Sequence, residues 1–112
     1  MEVNVRTIEP STHLIEVHGE MDLYNSHHLK ELIVDLLEKD SNPFIVDLGK
    51  LNYIDSSGIS VLLFIFTQTK KRGRGLWFVN VQGSVRKVIK LTSLLGFLPI
   101  ADSLEEAKSN LS

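Results

Sequence analysis

Four times along this sequence, a short strand-like run gives way to a segment with helical spacing. That repeated change of hydrophobic period is the strongest constraint on the fold. The stretches VNVRTIE and HLIEVHG alternate apolar with polar residues, and EPST between them reads as a turn. They predict two strands paired antiparallel. From Asn25 the period becomes helical, with Leu29, Leu32, Ile33, Leu36 and Leu37 on one face. Asn25 or Ser26 is suited to accept the first free amides of that helix. The helix stops at SNP, because Pro43 biases its predecessor away from helical angles. FIVDLG is then a strand, and a helix follows from about Ser57 to Lys71, closing on KKRGRG with cations and glycines at its negative end. LWFVNV is the next strand. SVRKVIKLTSLLG is the next helix, with Gly96 as its expected C-terminal cap. LPI predicts a brief last strand. DSLEEAKSNL predicts a last helix, capped by Asp102 or Ser103 with Glu105 or Glu106 in its first turn. The order β-β-α-β-α-β-α-β-α defines an α/β protein. It predicts a mostly parallel sheet of about five strands, the first antiparallel, with about four helices.

Length and composition narrow the class. A chain of 112 residues fits a single domain, 1–112, around one core. Twelve basic residues face fourteen acidic ones, a balance that predicts neither nucleic acid nor an acidic membrane surface as partner. No cysteine is present, which excludes disulfides, thiol catalysis and thiolate metal sites. The opening MEVNVRTIEP lacks the basic segment and long apolar core of a signal peptide. The most apolar run, ISVLLFIF, is far shorter than the roughly 20 residues of a membrane-spanning helix. The expectation is a cytoplasmic protein with no membrane insertion.

In parallel sheets, sites gather beyond the C-terminal ends of the strands. Two loops there carry chemistry, GEMDLYNS and YIDSSG. The second places Asp55, Ser56, Ser57 and Gly58 at a strand-to-helix junction. A helix start presents unpaired amides and a positive dipole end. A serine there serves as a cap. If phosphorylated, it gains roughly −1.5 to −2 charge beside those amides. The residues leave both readings open, and leave open which serine is concerned. Gly58, lacking a side chain, is read as letting another backbone, or a partner, approach the loop closely. A catalytic serine is disfavoured, because the Gly-X-Ser-X-Gly elbow is absent and His13, His18, His27 and His28 all lie early in the chain. His27 and His28 lack the i, i+4 spacing of a helical metal pair, and no metal or cofactor is expected. From the residues alone, the acids of GEMD read as solvated turn residues that complement a helix dipole, with Gly19 allowing the turn. KKRGRG reads as a solvated helix end, and Arg86, Lys87 and Lys90 as a wet helix face or a contact for an acidic partner. Trp77 and Phe78 point to opposite faces of their strand.

The pairing of GEMD with IDSSG, followed by an apolar helix, resembles the STAS domain of bacterial anti-sigma factor antagonists over nearly the whole chain. The resemblance implies a small cytoplasmic switch rather than an enzyme. Its partner would be an anti-sigma factor that is also a serine kinase of the GHKL ATPase type. The unmodified antagonist binds that kinase and frees the sigma factor. Phosphorylation of the serine directly after the aspartate, here Ser56, switches it off, and a metal-dependent serine phosphatase restores it. By the same likeness, Asp22 contributes to kinase binding and Asn25 sits at a position of small polar residues. Asp55 orients the acceptor hydroxyl, its plainer reading being a solvated loop carboxylate or a cap in its own right; Ser57 caps the helix and shapes the site, and Gly58 adjoins the partner. An alternative is a STAS scaffold subunit of a signalling or lipid-transport assembly whose serine is never modified. A small serine hydrolase is a third.

Overall fold

The computed structural model describes residues 1–111. Its elements follow the expected order: β1 (Glu2–Ile8), β2 (Thr12–Met21), α1 (Ser26–Lys39), β3 (Phe44–Ile54), α2 (Ser56–Lys71), β4 (Leu76–Val79), α3 (Gly83–Leu91), β5 (Ile100–Ala101) and α4 (Leu104–Leu111). One sheet runs in the order β1-β2-β3-β4-β5. β1 is antiparallel to β2, and every later pair is parallel.

Strand alternation divides the core in two. Ile15, Val17, Phe44, Val46, Leu48 and Phe78 point to one face, where they meet Leu29 and Ile33 of α1, Leu62 and Ile65 of α2, and Val85 and Ile89 of α3. The opposite face is thinner. There Leu14, Ile45 and Val79 meet Ala101 and Ala107, with Trp77, Leu104 and Leu111 at the margin, so α4 alone covers it. Trp77 and Phe78 thus do face opposite ways. Each fully buried side chain of this size contributes roughly 1.5–3 kcal/mol.

Helix ends explain where the sequence pattern was followed and where it was not. α2 ends as expected from KKRGRG. Gly73 takes a positive φ of 66°, its amide donates to Lys70 O at 3.1 Å, and the Arg74 amide donates to Thr69 O at 2.8 Å. α4 is capped by Ser103, whose Oγ accepts the Glu106 amide at 3.1 Å, while Glu106 accepts the Asp102 amide at 3.3 Å. α3 departs from expectation. It ends at Leu91, five residues before Gly96, because Ser93 adopts the left-handed conformation at φ 61°. Its amide and that of Leu94 donate to Lys90 O and Ile89 O, which closes the helix by the same motif as at Gly73. β3 is also longer than FIVDLG, running to Ile54 through irregular register with β2. Gly19, with φ 89°, sits at one of those irregularities inside β2 rather than in a turn.

The end of the sheet opposite these strand C-termini is held by a buried polar latch. Arg74, expected at a solvated helix end, turns inward with its side chain 6% exposed. Its Nε donates to Asn42 O at 2.7 Å, Nη1 to Leu37 O at 3.2 Å and Nη2 to Asp40 at 3.2 Å. The guanidinium also lies over the Phe44 ring. His13, buried in β2, donates from Nε2 to the same carboxylate at 2.9 Å. The Asn42 amide, the His13 hydrogen bond and the charge of Arg74 together hold the Asp40 carboxyl below its ordinary value of 3.8, against the opposing effect of burial. A lowered folded-state value means the contribution is complete above 3.8 and is lost as pH falls through the folded value. Denaturant titrations across about pH 3–7 should therefore show stability falling below about pH 4, and Asp40→Asn should flatten that fall. An unchanged acid limb in Asp40→Asn would remove the latch from this role.

Candidate functional site

The two chemistry-bearing loops meet because β2 and β3 are parallel neighbours. Met21 stands opposite Ile54 in the register, so the chain leaves both strands at the same height. The Asp55 amide donates to Met21 O at 3.2 Å and fixes one loop against the other.

Asp55 is the centre of this junction. It is the N-cap of α2, and its Oδ1 accepts the amides of Ser57 at 2.8 Å and Gly58 at 3.1 Å. Its Oδ2 accepts the Leu23 amide at 3.0 Å, from the other loop. One carboxylate therefore caps the helix and clasps the 22–25 loop. That loop is internally braced as well. Asp22 Oδ1 accepts the amides of Tyr24 at 2.9 Å and Asn25 at 3.2 Å. Asn25 Oδ1 accepts the Asp22 amide at 2.9 Å, and its Nδ2 donates to Glu20 O at 2.9 Å.

Each predicted site residue can now be placed. Asp22, Asn25 and Asp55 lie in two adjoining connections, and Ser56, Ser57 and Gly58 form the first turn of α2 that follows. Several of the physical reasons change. Asn25 precedes α1 but makes no side-chain cap to it, because its amide group is spent on Asp22 and Glu20. The cap of α2 is Asp55 rather than Ser57, which instead gives its amide to Asp55. α2 begins at Ser56, one residue earlier than expected. The helix-start amides expected to greet a phosphate are also not free, since Asp55 holds two of them.

Gly58 is likewise not an opening for a partner. It is buried, and a Cβ there would come within 2.5 Å of Ile54 Cγ1 and 3.2 Å of Met21 Cγ. Its missing side chain lets α2 pack onto the ends of β2 and β3.

Ser56 stands apart. It is exposed, and among the described residues nothing hydrogen-bonds to its hydroxyl. Only its carbonyl is engaged, by Ser60 Oγ at 3.0 Å. Ser57 is half-buried. Exposed apolar surface surrounds the junction: Leu23 is 66% and Tyr24 83% exposed on one loop, and Tyr53 is 49% exposed just before the other. These three were not singled out from the sequence, where a loop leucine or tyrosine carries no sign of its exposure. No histidine nitrogen bonds to Ser56 or Ser57 among the described residues, and His13 is engaged with Asp40 at the other end of the sheet. No serine–histidine pair is formed there among the described residues. No group of three or more metal-ligating side chains occurs among the described residues, and no helix there is long and apolar enough to cross a membrane.

Residues 3–107 match the STAS domain family. The chain belongs to that family. An anti-sigma-B factor antagonist of Bacillus subtilis (strain 168) is 29% identical over 91 residues, spanning 81% of this chain and 83% of that protein. The crystal structure of an anti-sigma factor antagonist from Mycobacterium paratuberculosis is similar with a TM-score of 0.86 at 23% identity, covering 98% of this chain and 92% of that one. The phosphorylated form of SpoIIAA, a Bacillus cell fate determinant, is similar with a TM-score of 0.75 at 20% identity, over 99% of this chain and 100% of that one. At these identities the two structural likenesses speak to the fold: one STAS-type domain with four helices among the described residues and a five-stranded mixed sheet.

Two substitutions test the junction. Gly58→Ala should destabilise the fold by about 1–3 kcal/mol through overpacking against Ile54 and Met21, measured by denaturant unfolding. Asp55→Ala should cost about 0.5–2 kcal/mol as a lost cap. It should also speed amide exchange at Leu23, which a cap acting on α2 alone would leave unchanged.

Proposed function

We propose that this chain is an anti-sigma factor antagonist, a binding module switched by phosphorylation of Ser56. The supporting observation is the state of Ser56: an exposed first residue of α2 whose hydroxyl is unengaged, set beside the exposed Leu23, Tyr24 and Tyr53. In the unmodified state that surface docks an anti-sigma factor, which is also a GHKL-type serine kinase, and so releases the sigma factor. The name of the Bacillus subtilis relative and the phosphorylated form of SpoIIAA support this reading. A metal-dependent serine phosphatase reverses the modification, and the cycle runs in the cytoplasm. The chain itself does no catalysis.

The switch has a simple electrostatic basis. Asp55 already occupies the Ser57 and Gly58 amides, so a phosphate on Ser56 gains little from them and projects outward. It brings roughly −1.5 to −2 charge next to the carboxylate of Asp55. A docking surface suited to neutral Ser56 then meets concentrated negative charge, and the kinase's product becomes its poorer ligand.

Incubation with the cognate kinase and ATP, followed by intact mass and peptide mapping, tests this. One phosphoryl group should appear on Ser56, and Ser56→Ala should abolish it while Ser57→Ala retains it. Continued modification of Ser56→Ala would remove Ser56 from the role. Ser56→Asp should weaken kinase binding by on the order of tenfold, about 1.4 kcal/mol, by calorimetry.

A further inference from the structure

The two edges of the sheet are finished differently. β5, at one edge, is two residues long and follows Pro99, so it offers almost no ladder for another strand. β1, at the other, runs for seven residues without Pro, Gly or Lys, and its register with β2 is unbroken from Glu2 to Ile8. Five of its seven residues are exposed, so nothing covers this strand as the helices cover β2 and β3. Among the described residues, no backbone hydrogen bond beyond the ladder with β2 involves residues 2–8, which leaves the outward amides and carbonyls of β1 unpaired. Its two charges are of opposite sign. Glu2 and Arg6 stand two residues to either side of Asn4.

The pairing with β2 fixes which way each side chain points. Val3 and Val5 stand opposite Val17 and Ile15, on the side of α1 and α2, and Val5 is still 39% exposed there. Glu2, Asn4 and Arg6 stand opposite His18, Glu16 and Leu14, on the side of α4. Arg6 meets Glu16 only through Nε at 3.9 Å, which leaves the other donors of its exposed guanidinium free. Glu2 forms no ion pair among the described residues. A second β1 can lie antiparallel along this edge about a two-fold axis normal to the sheet. Opposed side chains then share a face only if the axis pairs one residue with its own copy. Centred on Asn4, that pairing sets Glu2 opposite the second copy's Arg6 and Arg6 opposite its Glu2, while Val3 and Val5 exchange in the same way on the helix side. Centred on Val5 or Val3, it would set Glu2 against Ile8 or Asn4 and lose both charge pairs.

We infer that β1 is a self-association edge, through which two copies of this chain join their sheets in an antiparallel β1–β1 pair centred on Asn4. Main-chain hydrogen bonds supply the affinity, and the cross-strand charge and valine pairs select the register. A single strand pair is a small interface, so the dimer forms and dissolves readily. The two-fold reverses strand direction. The two Ser56 sites therefore lie at opposite ends of the joined sheet, and both stay open to a partner. The inference is independent of Ser56 and of its modification.

Sedimentation velocity from about 10 μM to about 1 mM tests it, together with amide hydrogen exchange over the same range. The chain should pass from monomer to dimer, with added protection confined to residues 2–8. Glu2→Arg and Arg6→Glu, each at an exposed position, should separately weaken dimerisation by about tenfold or more, because each places like charges opposite one another. An equimolar mixture of the two variants should dimerise again, since each supplies the sign that the other lacks. Ser56→Asp should leave the association unchanged. A monomer throughout, protection centred on Leu23–Asn25 or on Leu91 and Phe97, or a mixture no better than either variant alone would overturn the inference. So would a monomeric chain that takes up an unrelated extended peptide along β1, which would assign the edge to a foreign strand.

Discussion

The parallel pairing of β2 with β3 is the constraint on which the candidate site rests. Neither the 22–25 loop nor the 52–58 segment is a site by itself. The register that sets Met21 opposite Ile54 delivers both to one height at one end of the sheet. Asp55 then joins them with three backbone amides, two from its own helix and one from Leu23. Ionised carboxylates make strong hydrogen bonds to backbone amides, and a carboxylate that uses both oxygens this way is fixed in orientation. Ser56, next in the chain, inherits that fixed position while keeping its own hydroxyl free. Scaffold rigidity and side-chain availability thus come from adjacent residues.

The same geometry separates roles that the family resemblance had merged. Asp22 and Asn25 form a closed set of hydrogen bonds that shapes their loop. Gly58 is a packing residue, excluded from any other identity by Ile54 and Met21. On the proposed function, the exposed surface that a partner would meet includes Ser56 together with Leu23, Tyr24 and Tyr53. On the proposed function, a kinase would dock on those apolar side chains and act on the hydroxyl among them. The polar residues that make the motif recognisable would serve mainly to hold that surface in place.

Much of the architecture was legible in the sequence, because it is written in local periodicity. The order of nine elements, the antiparallel first strand, a cap at Asp102 or Ser103 and the glycine-closed end of α2 all follow from spacing and cap chemistry over a few residues. The misses share a cause: each depends on a neighbour distant in sequence or on a backbone choice that two residues could make. Ser93 rather than Gly96 ends α3, because the Leu94 amide reaches Ile89 there and a serine tolerates the left-handed angle. Asp55, which the residues allowed as a cap beside the serines, is singled out only by the fold, where the Leu23 amide, 32 residues away, engages its second oxygen. Arg74 reads as one more surface cation in KKRGRG, and only the fold shows that Leu37, Asp40 and Asn42 await it.

The Arg74 latch bears on how signals could pass through so small a domain. A planar guanidinium grips three acceptors, one from the last turn of α1 and two from the connection to β3, in a fixed fork geometry. With that end clamped and the opposite end clasped by Asp55, the sheet between them has little freedom to relay a displacement. Information written on Ser56 would then be read as local surface chemistry, by whichever protein touches it, and not as a change of shape felt elsewhere in the molecule.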